Sequence, residues 1–99
     1  MITFIEYSNI GAIASEVAVS CDENAISYTV PAGKKGVSFQ NVGTKAVWYG
    51  GSNVAPASNI GNKLFQNATL VYKGVKSSFQ IYFRCAAGET STIGVINHD

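Results

Sequence analysis

The sequence predicts an all-β fold: one antiparallel β-sandwich, jelly-roll-like, with about eight short strands. Apolar and polar residues alternate with period two in most segments, which is typical of strands with one buried face. Breaks rich in glycine and polar residues recur at roughly ten-residue intervals, as they do between the strands of a sandwich. Residues 10–19 are the strongest helical candidate, and they lack good capping residues. We therefore expect residues 1–99 to form a single β-sandwich domain.

The strands are assigned from this alternation in chain order. In residues 79–85, Phe79 and Phe83 fall on the face predicted to be buried, whereas Tyr82 falls on the outer face. The same alternation places Phe39 in the core. The predicted strands are residues 3–7, 17–20, 26–30, 37–41, 46–50, 68–72, 79–85 and 92–96.

Short polar breaks between the strands are predicted to be hairpin turns. Residues 31–36, 42–45 and 86–89 each contain a glycine, which adopts the positive φ that such turns need without steric cost. Residues 50–62 form a break longer than most loops in compact domains. This segment is either an ordered crossover between two sheets, its Asn and Ser side chains bonding the backbone, or a ligand-binding loop.

Charged residues are distributed unevenly, although the formal net charge is only +1. Residues 1–23 carry four acidic and no basic side chains, residues 24–88 carry seven basic and no acidic ones, and residues 89–99 carry two acidic ones. If the acidic ends pack beside the lysines, the charges neutralise one another. If they lie apart, the molecule is a dipole suited to docking on an acidic partner or on a neighbouring copy.

The sequence has no recognisable catalytic or metal-binding pattern, so we expect neither an enzyme nor a bound cofactor. The single histidine, His98, is one residue from the C-terminus, where we expect a solvated tail. Cys21, Cys85 and His98 lack the short spacing of a zinc site. The Gly-Lys-Lys-Gly segment at residues 33–36 precedes a predicted strand rather than the helix of a phosphate-binding loop.

The cysteines and the first residues bear on location. No signal-peptide pattern opens the chain, and no segment has the roughly 18 to 20 apolar residues of a membrane span. We therefore expect synthesis in the cytoplasm without export, and no membrane partner. In such a protein, Cys21 and Cys85 are more typical of buried free thiols than of a disulfide.

Eleven aromatic residues exceed what a core of this size needs, and aromatic side chains are enriched at protein interfaces. Trp48 and Tyr49 point to opposite faces of one predicted strand, so one of them is expected outside. The candidate interface residues are Trp48, Tyr49, Tyr82 and Arg84.

Lysines beside aromatic residues also suit a nucleic acid, but they are spread one per turn rather than along a stripe. This spread favours a role of the lysines in solubility and in protecting strand edges over nucleic-acid binding.

Two segments resemble small virion structural proteins of tailed bacteriophages. Residues 36–54 run as a strand, Gln-Asn-x-Gly-Thr, a strand and Gly-Gly-Ser-x-Val, and residues 81–90 are similar to the family's final strand and Ala-Ala-Gly turn. The resemblance covers about residues 30–97 and includes no catalytic residue. Cys85 stands where the family has a small aliphatic residue. Residues 1–23 have no counterpart, so they supply either the first strands or an arm that reaches a neighbouring subunit.

The resemblance implies a non-enzymatic virion protein made in the cytoplasm of a bacterial host. Its members are small β-sandwiches that decorate or stabilise phage heads or form modules of tails and fibres. We expect many copies to bind one another and a major capsid or tail protein. Two alternatives stay open: a tail or fibre module that binds host-surface carbohydrate through residues 50–62 and an exposed Trp48 or Tyr49, and a small nucleic-acid-binding β-barrel.

Overall fold

The computed structural model describes residues 13–99 and places eight strands in two antiparallel sheets. The strands are β1 (Ile13–Cys21), β2 (Ile26–Val30), β3 (Gly36–Asn41), β4 (Val47–Gly50), β5 (Asn62–Leu64), β6 (Thr69–Lys73), β7 (Phe79–Arg84) and β8 (Ser91–His98). Sheet A has the order β1-β8-β3-β6, and sheet B has the order β2-β7-β4-β5. The predicted antiparallel sandwich of about eight strands is confirmed.

The strand order is that of a jelly roll. β1 pairs with β8, β2 with β7, β3 with β6 and β4 with β5, so the chain folds like one long hairpin that wraps around the core. Two further pairs, β3 with β8 and β4 with β7, join these units into the two sheets. Eight strands connected in this way form the two Greek keys of a jelly roll.

Strand positions agree with the prediction wherever the alternation is strong. The predicted strand at residues 26–30 coincides with β2. β1 and β8 extend beyond the predicted residues 17–20 and 92–96, because each pairs with the other along its length. The sequence does not predict β5, because Asn62–Leu64 is too short to show a period. The predicted strand at residues 3–7 lies outside the described residues.

The short breaks are not the predicted hairpin turns but connections between the two sheets. Residues 31–35 lead from β2 in sheet B to β3 in sheet A, residues 42–46 lead back to sheet B, and residues 85–90 lead from β7 to β8. Positive φ angles occur in two of them, at Gly33 and Gly88. The prediction is wrong because alternation indicates which face of a strand is buried and not which strand lies beside it.

The loop at residues 51–61 connects β4 to β5 within sheet B, so the predicted crossover between sheets is also wrong. Ala55 and Ile60 exchange backbone hydrogen bonds of 2.9 and 3.0 Å around a short 3-10 helix, Pro56–Ser58. Backbone bonds, rather than the predicted Asn and Ser side chains, thus close the loop. Val54 is only 2% exposed and lies apart from the main core cluster, so the loop buries an apolar residue of its own.

The core lies between the sheets and is centred on Phe39 of β3 and Phe83 of β7. Both side chains are fully buried, and their ring centroids are 5.4 Å apart. Phe79 is partly buried against the same cluster, so the predicted core positions of all three phenylalanines are confirmed. β3 and β7 are interior strands, which lets their side chains be covered from both sides. Full burial of one phenylalanine contributes about 2 to 3 kcal/mol.

The end of β3 carries a buried polar residue, Asn41, within the Gln-Asn-x-Gly-Thr segment. Its Nδ2 donates hydrogen bonds to the carbonyl oxygens of Lys45, at 2.7 Å, and Leu64, at 2.9 Å. Its Oδ1 accepts from the Gly43 N–H, at 3.1 Å, and the Ser91 hydroxyl, at 2.7 Å. Because all four hydrogen-bonding positions of the amide are satisfied, the side chain can be fully buried. The segment is therefore a structural junction that ties β3 to β5 and β8.

The C-terminal residues are held in sheet A, and the predicted solvated position of His98 is wrong. His98 is fully buried and lies opposite Gly36 of β3. Its carbonyl oxygen accepts a hydrogen bond of 3.0 Å from the Lys35 N–H, and Lys34 and Asp99 form an ion pair of 2.7 Å beside it. The chain does not fray here because β8 is an interior strand, paired on both sides.

The N-terminal part of the described chain belongs to the sandwich. Ile13–Cys21 forms the edge strand β1 of sheet A. Residues 1–23 are expected to supply either the first strands or an arm, and Ile13–Cys21 forms a strand. Residues 1–12 lie outside the described residues.

Candidate binding site

Consecutive residues of β4 face opposite sides of sheet B. Val47 is fully buried and Tyr49 packs against the core, whereas Trp48 lies on the outer face beside Lys63. The alternation is the predicted one, and Trp48 is the residue placed outside. Tyr49, a predicted interface candidate, belongs to the core side of the sheet and not to the outer surface.

Lys63 and Phe65 form a basic and aromatic surface with Trp48, which we call the Trp48 patch. β5 places Lys63 directly opposite Trp48, with the ammonium nitrogen 5.7 Å from the Trp48 ring centroid and 5.1 Å from that of Phe65. Each such contact stabilises by about 0.5 to 1 kcal/mol at an exposed site. Phe65 is nevertheless 53% exposed, so the patch leaves a large apolar side chain in water.

Arg84 pairs with Trp48 across sheet B, but its guanidinium group is occupied by backbone carbonyls. Nε donates to the Glu23 carbonyl at 2.6 Å, and Nη1 donates to the Val54 carbonyl at 3.3 Å. These bonds fasten the turn after β1 and the loop at residues 51–61 to the sheet. Arg84 is therefore a structural clamp. Tyr82, two positions earlier, lies on the outer face as predicted.

A cleft of about 410 Å³ adjoins the Trp48 patch. Trp48 and Pro56 contribute apolar surface, and alanines from the neighbouring connections leave the space between them open. Lys45, Lys63 and Glu89 bring charges of both signs to its rim. A concave site of this volume, with an aromatic wall and a few polar groups, is the form that small polar ligands and partner side chains occupy.

In the part of the chain that the structure describes, ion pairing between the acidic and basic segments is limited. Across residues 13–99, the one salt bridge joins Lys34 to Asp99. At the cleft, two lysines, Lys45 and Lys63, accompany one acid, Glu89. The surface around Trp48 therefore keeps a positive balance that suits an acidic partner.

The two cysteines are free thiols and both are buried, as predicted. Burial raises the pKa of Cys21 to about 12, and the neighbouring Cys85 and Asp22 add to this effect. Burial also raises the pKa of the Cys85 thiol, with Glu89 and Asp22 contributing. Because the thiolate is the reactive form, both thiols are poor nucleophiles at neutral pH.

The described part of the chain has neither a metal-binding cluster nor a membrane-spanning helix. Between residues 13 and 99, no group of three or more His, Cys, Asp or Glu side chains is placed to hold a metal ion. The same residues contain no helix long and apolar enough to cross a membrane.

The predicted interface residues thus coincide with the site only in part. Trp48 and Tyr82 are on the outer face, while Tyr49 and Arg84 are engaged within the fold. Phe65, together with Trp48 and Tyr49, is among the aromatic residues that the sequence places near lysines, but the sequence does not predict that Lys63 lies between the Trp48 and Phe65 rings. The sequence contains a short alternation here, because Lys63 and Phe65 flank the buried Leu64 and so share the outer face. Three residues are too few to establish a period of two.

Known proteins offer no assignment for this site. No family model, no curated protein and no solved structure matches the chain. The chemistry of the site is therefore defined by its own geometry: an outward tryptophan, a lysine between two rings and an adjoining cleft.

Proposed function

We propose that the protein is a non-enzymatic structural protein of a tailed-phage particle that decorates or stabilises the capsid in many copies. The proposal starts from the resemblance of residues 36–54 and 81–90 to such proteins. The observation that supports it most is the Trp48 patch on the outer face of sheet B. Exposed aromatic anchors on a rigid element are typical of the residues that dominate protein interfaces.

The placement of the nucleophilic side chains also supports a role in binding rather than catalysis. Cys21, Cys85 and His98 are all buried. A protein of this kind acts through contact area: each copy packs against the lattice and against its neighbours, and the added interfaces resist expansion of the shell.

Co-sedimentation with phage particles tests the proposal. Purified protein is mixed with heads and, separately, with tails of the encoding phage that lack it. We expect saturable binding to heads and a higher temperature of head disruption. Trp48→Ala and Phe65→Ser are each expected to weaken binding roughly tenfold or more, the loss typical of an anchor residue.

Val42→Ser is the matched control for this experiment. Val42 is 53% exposed, as Phe65 is, but it lies on the side of sheet A, where its N–H donates a hydrogen bond of 2.9 Å to the Thr92 carbonyl of β8. Its replacement should leave binding unchanged. If the folded wild-type protein binds neither heads nor tails, the proposal is wrong; binding to tails alone contradicts capsid decoration.

The cleft beside Trp48 supports a second candidate function, recognition of a host-surface carbohydrate by a tail or fibre module. A sugar ring has an apolar face that stacks on an aromatic wall, and its hydroxyl groups suit Lys45 and Glu89. A glycan array tests this function, with Trp48→Ala and Glu89→Gln expected to abolish the signal. Tyr82→Phe, on the same face outside the cleft lining, is the control. An array without any signal from folded protein would exclude this function.

A further inference from the structure

Strand β1 is the longest edge strand in the part of the chain that the structure describes. It has nine residues, whereas the other edge strands β2, β6 and β5 have five, five and three. β8 pairs with one side of β1, and no strand from residues 13–99 pairs with the other. An edge of this length presents a row of backbone N–H and C=O groups to which another strand can bind.

The side chains of β1 do little to protect this edge. Glu16 is the only charged residue of the strand, whereas β5 and β6 carry Lys63 and Lys73. Charged side chains, lysine above all, discourage pairing between edges. Val17 pairs with the buried Val95 and so lies on the face of sheet A that is turned toward the core, yet it is 46% exposed. Among residues 13–99, the strand therefore combines a backbone edge with which no other strand pairs and a half-exposed apolar side chain.

The outer face of sheet A, on the opposite side of β1 from Val17, is also largely apolar. A groove of about 380 Å³ runs beside β1, and Ala18, Gly94 and Ile96 are among its lining residues. Glu16 supplies the only charge in the groove lining. The groove lies over β8, between β1 and β3, so a strand added on the other side of β1 would extend a face on which Glu16 is the one charged residue of β1.

The sequence of β1 is complementary to itself in one register. The register of β1 with β8 is regular from Ser15 to Cys21 and shifts between Ile13 and Ser15. A two-fold axis through Val17 therefore pairs residues 15–19 with the same residues of a second copy. In this register Glu16 lies opposite Ala18 of the second copy, and the exposed Val17 side chains meet each other. Moving the axis to Glu16 would place two carboxylates directly opposite, which destabilises an antiparallel pair.

We propose that two copies of the protein pair through antiparallel β1 strands and join their A sheets into one eight-stranded sheet. An antiparallel ladder averages about one hydrogen bond per residue pair, so this contact adds roughly five. It also covers Val17, which the monomer leaves half in water. The inference rests on the proposed assembly into many copies and names one contact within it.

Sedimentation equilibrium of the full chain over a range of concentrations measures this pairing. The wild-type protein is expected to dimerise. In the dimer, Ala18→Glu places a carboxylate across from Glu16 of the other copy at two symmetry-related positions. Ala18→Lys places an ammonium group at the same two positions, where it attracts Glu16. The dissociation constant of the Ala18→Glu dimer should therefore be at least about tenfold higher than that of the Ala18→Lys dimer. Thr29→Lys, at an exposed position of the other sheet, should leave the wild-type constant unchanged.

Two outcomes would overturn the β1 pairing. One is a wild-type protein that stays monomeric up to about 1 mM. The other is an equal dissociation constant for Ala18→Glu and Ala18→Lys, with circular dichroism showing that both are folded. A monomer that still binds heads would overturn the pairing and leave the proposed function standing. A dimer sensitive to the charge at position 18 that binds no particle would support the pairing and contradict the proposed function.

Discussion

Replacing Asn41 by alanine is expected to lower the free energy of unfolding by about 4 kcal/mol. The side chain makes four hydrogen bonds, two donated to the carbonyls of Lys45 and Leu64 and two accepted from Gly43 and Ser91. Each such bond contributes about 1 kcal/mol net, and buried partners left unsatisfied add to the loss. A domain of this size has roughly 5 to 15 kcal/mol of total stability, so the variant would be close to unfolding.

Urea unfolding followed by tryptophan fluorescence measures this loss. The midpoint should fall with no change in the slope of free energy against urea, because the surface exposed on unfolding is the same. In a thermal scan the loss corresponds to a decrease of roughly 15 to 30 °C in the melting temperature. Asn41→Asp should be at least as damaging at neutral pH, since a carboxylate would face the carbonyls of Lys45 and Leu64.

Two variants calibrate the prediction. Ser91→Ala removes one bond of the junction and should cost about 1 kcal/mol. Gln40→Ala removes the neighbouring exposed amide, whose single bond to the Asn67 carbonyl is 3.3 Å long, and should cost less than about 0.5 kcal/mol. If Asn41→Ala costs no more than Gln40→Ala, the junction does not hold the fold together and the reasoning is refuted.

Three further predictions concern other parts of the sandwich. Gly43→Ala should destabilise by about 1 to 3 kcal/mol in thermal denaturation, because a Cβ at this position would overlap Ser91 Oγ; no loss would contradict the close contact. Burial raises the pKa of Cys21 from 9.0 to about 12, so the unfolded chain loses this proton first as the pH rises. Through Cys21, stability in urea should therefore fall by about 1 kcal/mol per pH unit between those values, and Cys21→Ala should reduce the slope by about that amount. Asp99→Asn should change stability by less than about 0.5 kcal/mol, because the Asp99 side chain is 66% exposed; a larger loss that persists in 1 M salt would argue for a stronger ion pair.

The strands and the buried faces are the parts of this fold that the sequence predicts well. Phe39 and Phe83 are assigned to the core by alternation, and both are fully buried. β5 escapes prediction because its three residues carry too little pattern, and the short breaks are misassigned as hairpins because polar turns look alike whether the next strand lies in the same sheet or in the opposite one.

The candidate site is predicted only where one strand contains the whole signal. Trp48 and Tyr49 alternate on β4, so the sequence shows that one of them faces outward. Lys63 reaches Trp48 from another strand, and Arg84 is bound to carbonyls of Glu23 and Val54, which are distant in the chain. No local pattern can reveal a contact made between segments that are far apart in sequence.

His98 illustrates the same limit for burial. Its place near the C-terminus predicts exposure, because chain ends usually fray. In the fold, β8 lies between β1 and β3, and the last residues are paired on both sides. The position of a strand within a sheet thus outweighs the position of a residue within the chain.

By itself, the sequence determined that this protein is an all-β sandwich, which segments form most of its strands and which of their faces are buried. These properties are local, since alternation with period two follows directly from the geometry of a single strand. Only the tertiary structure decided the jelly-roll order, the burial of His98, the clamp at Arg84 and the place of β1 at the end of the strand order of sheet A. They depend on which distant strands become neighbours, and those contacts form between residues from opposite ends of the chain, such as Ile13 and His98.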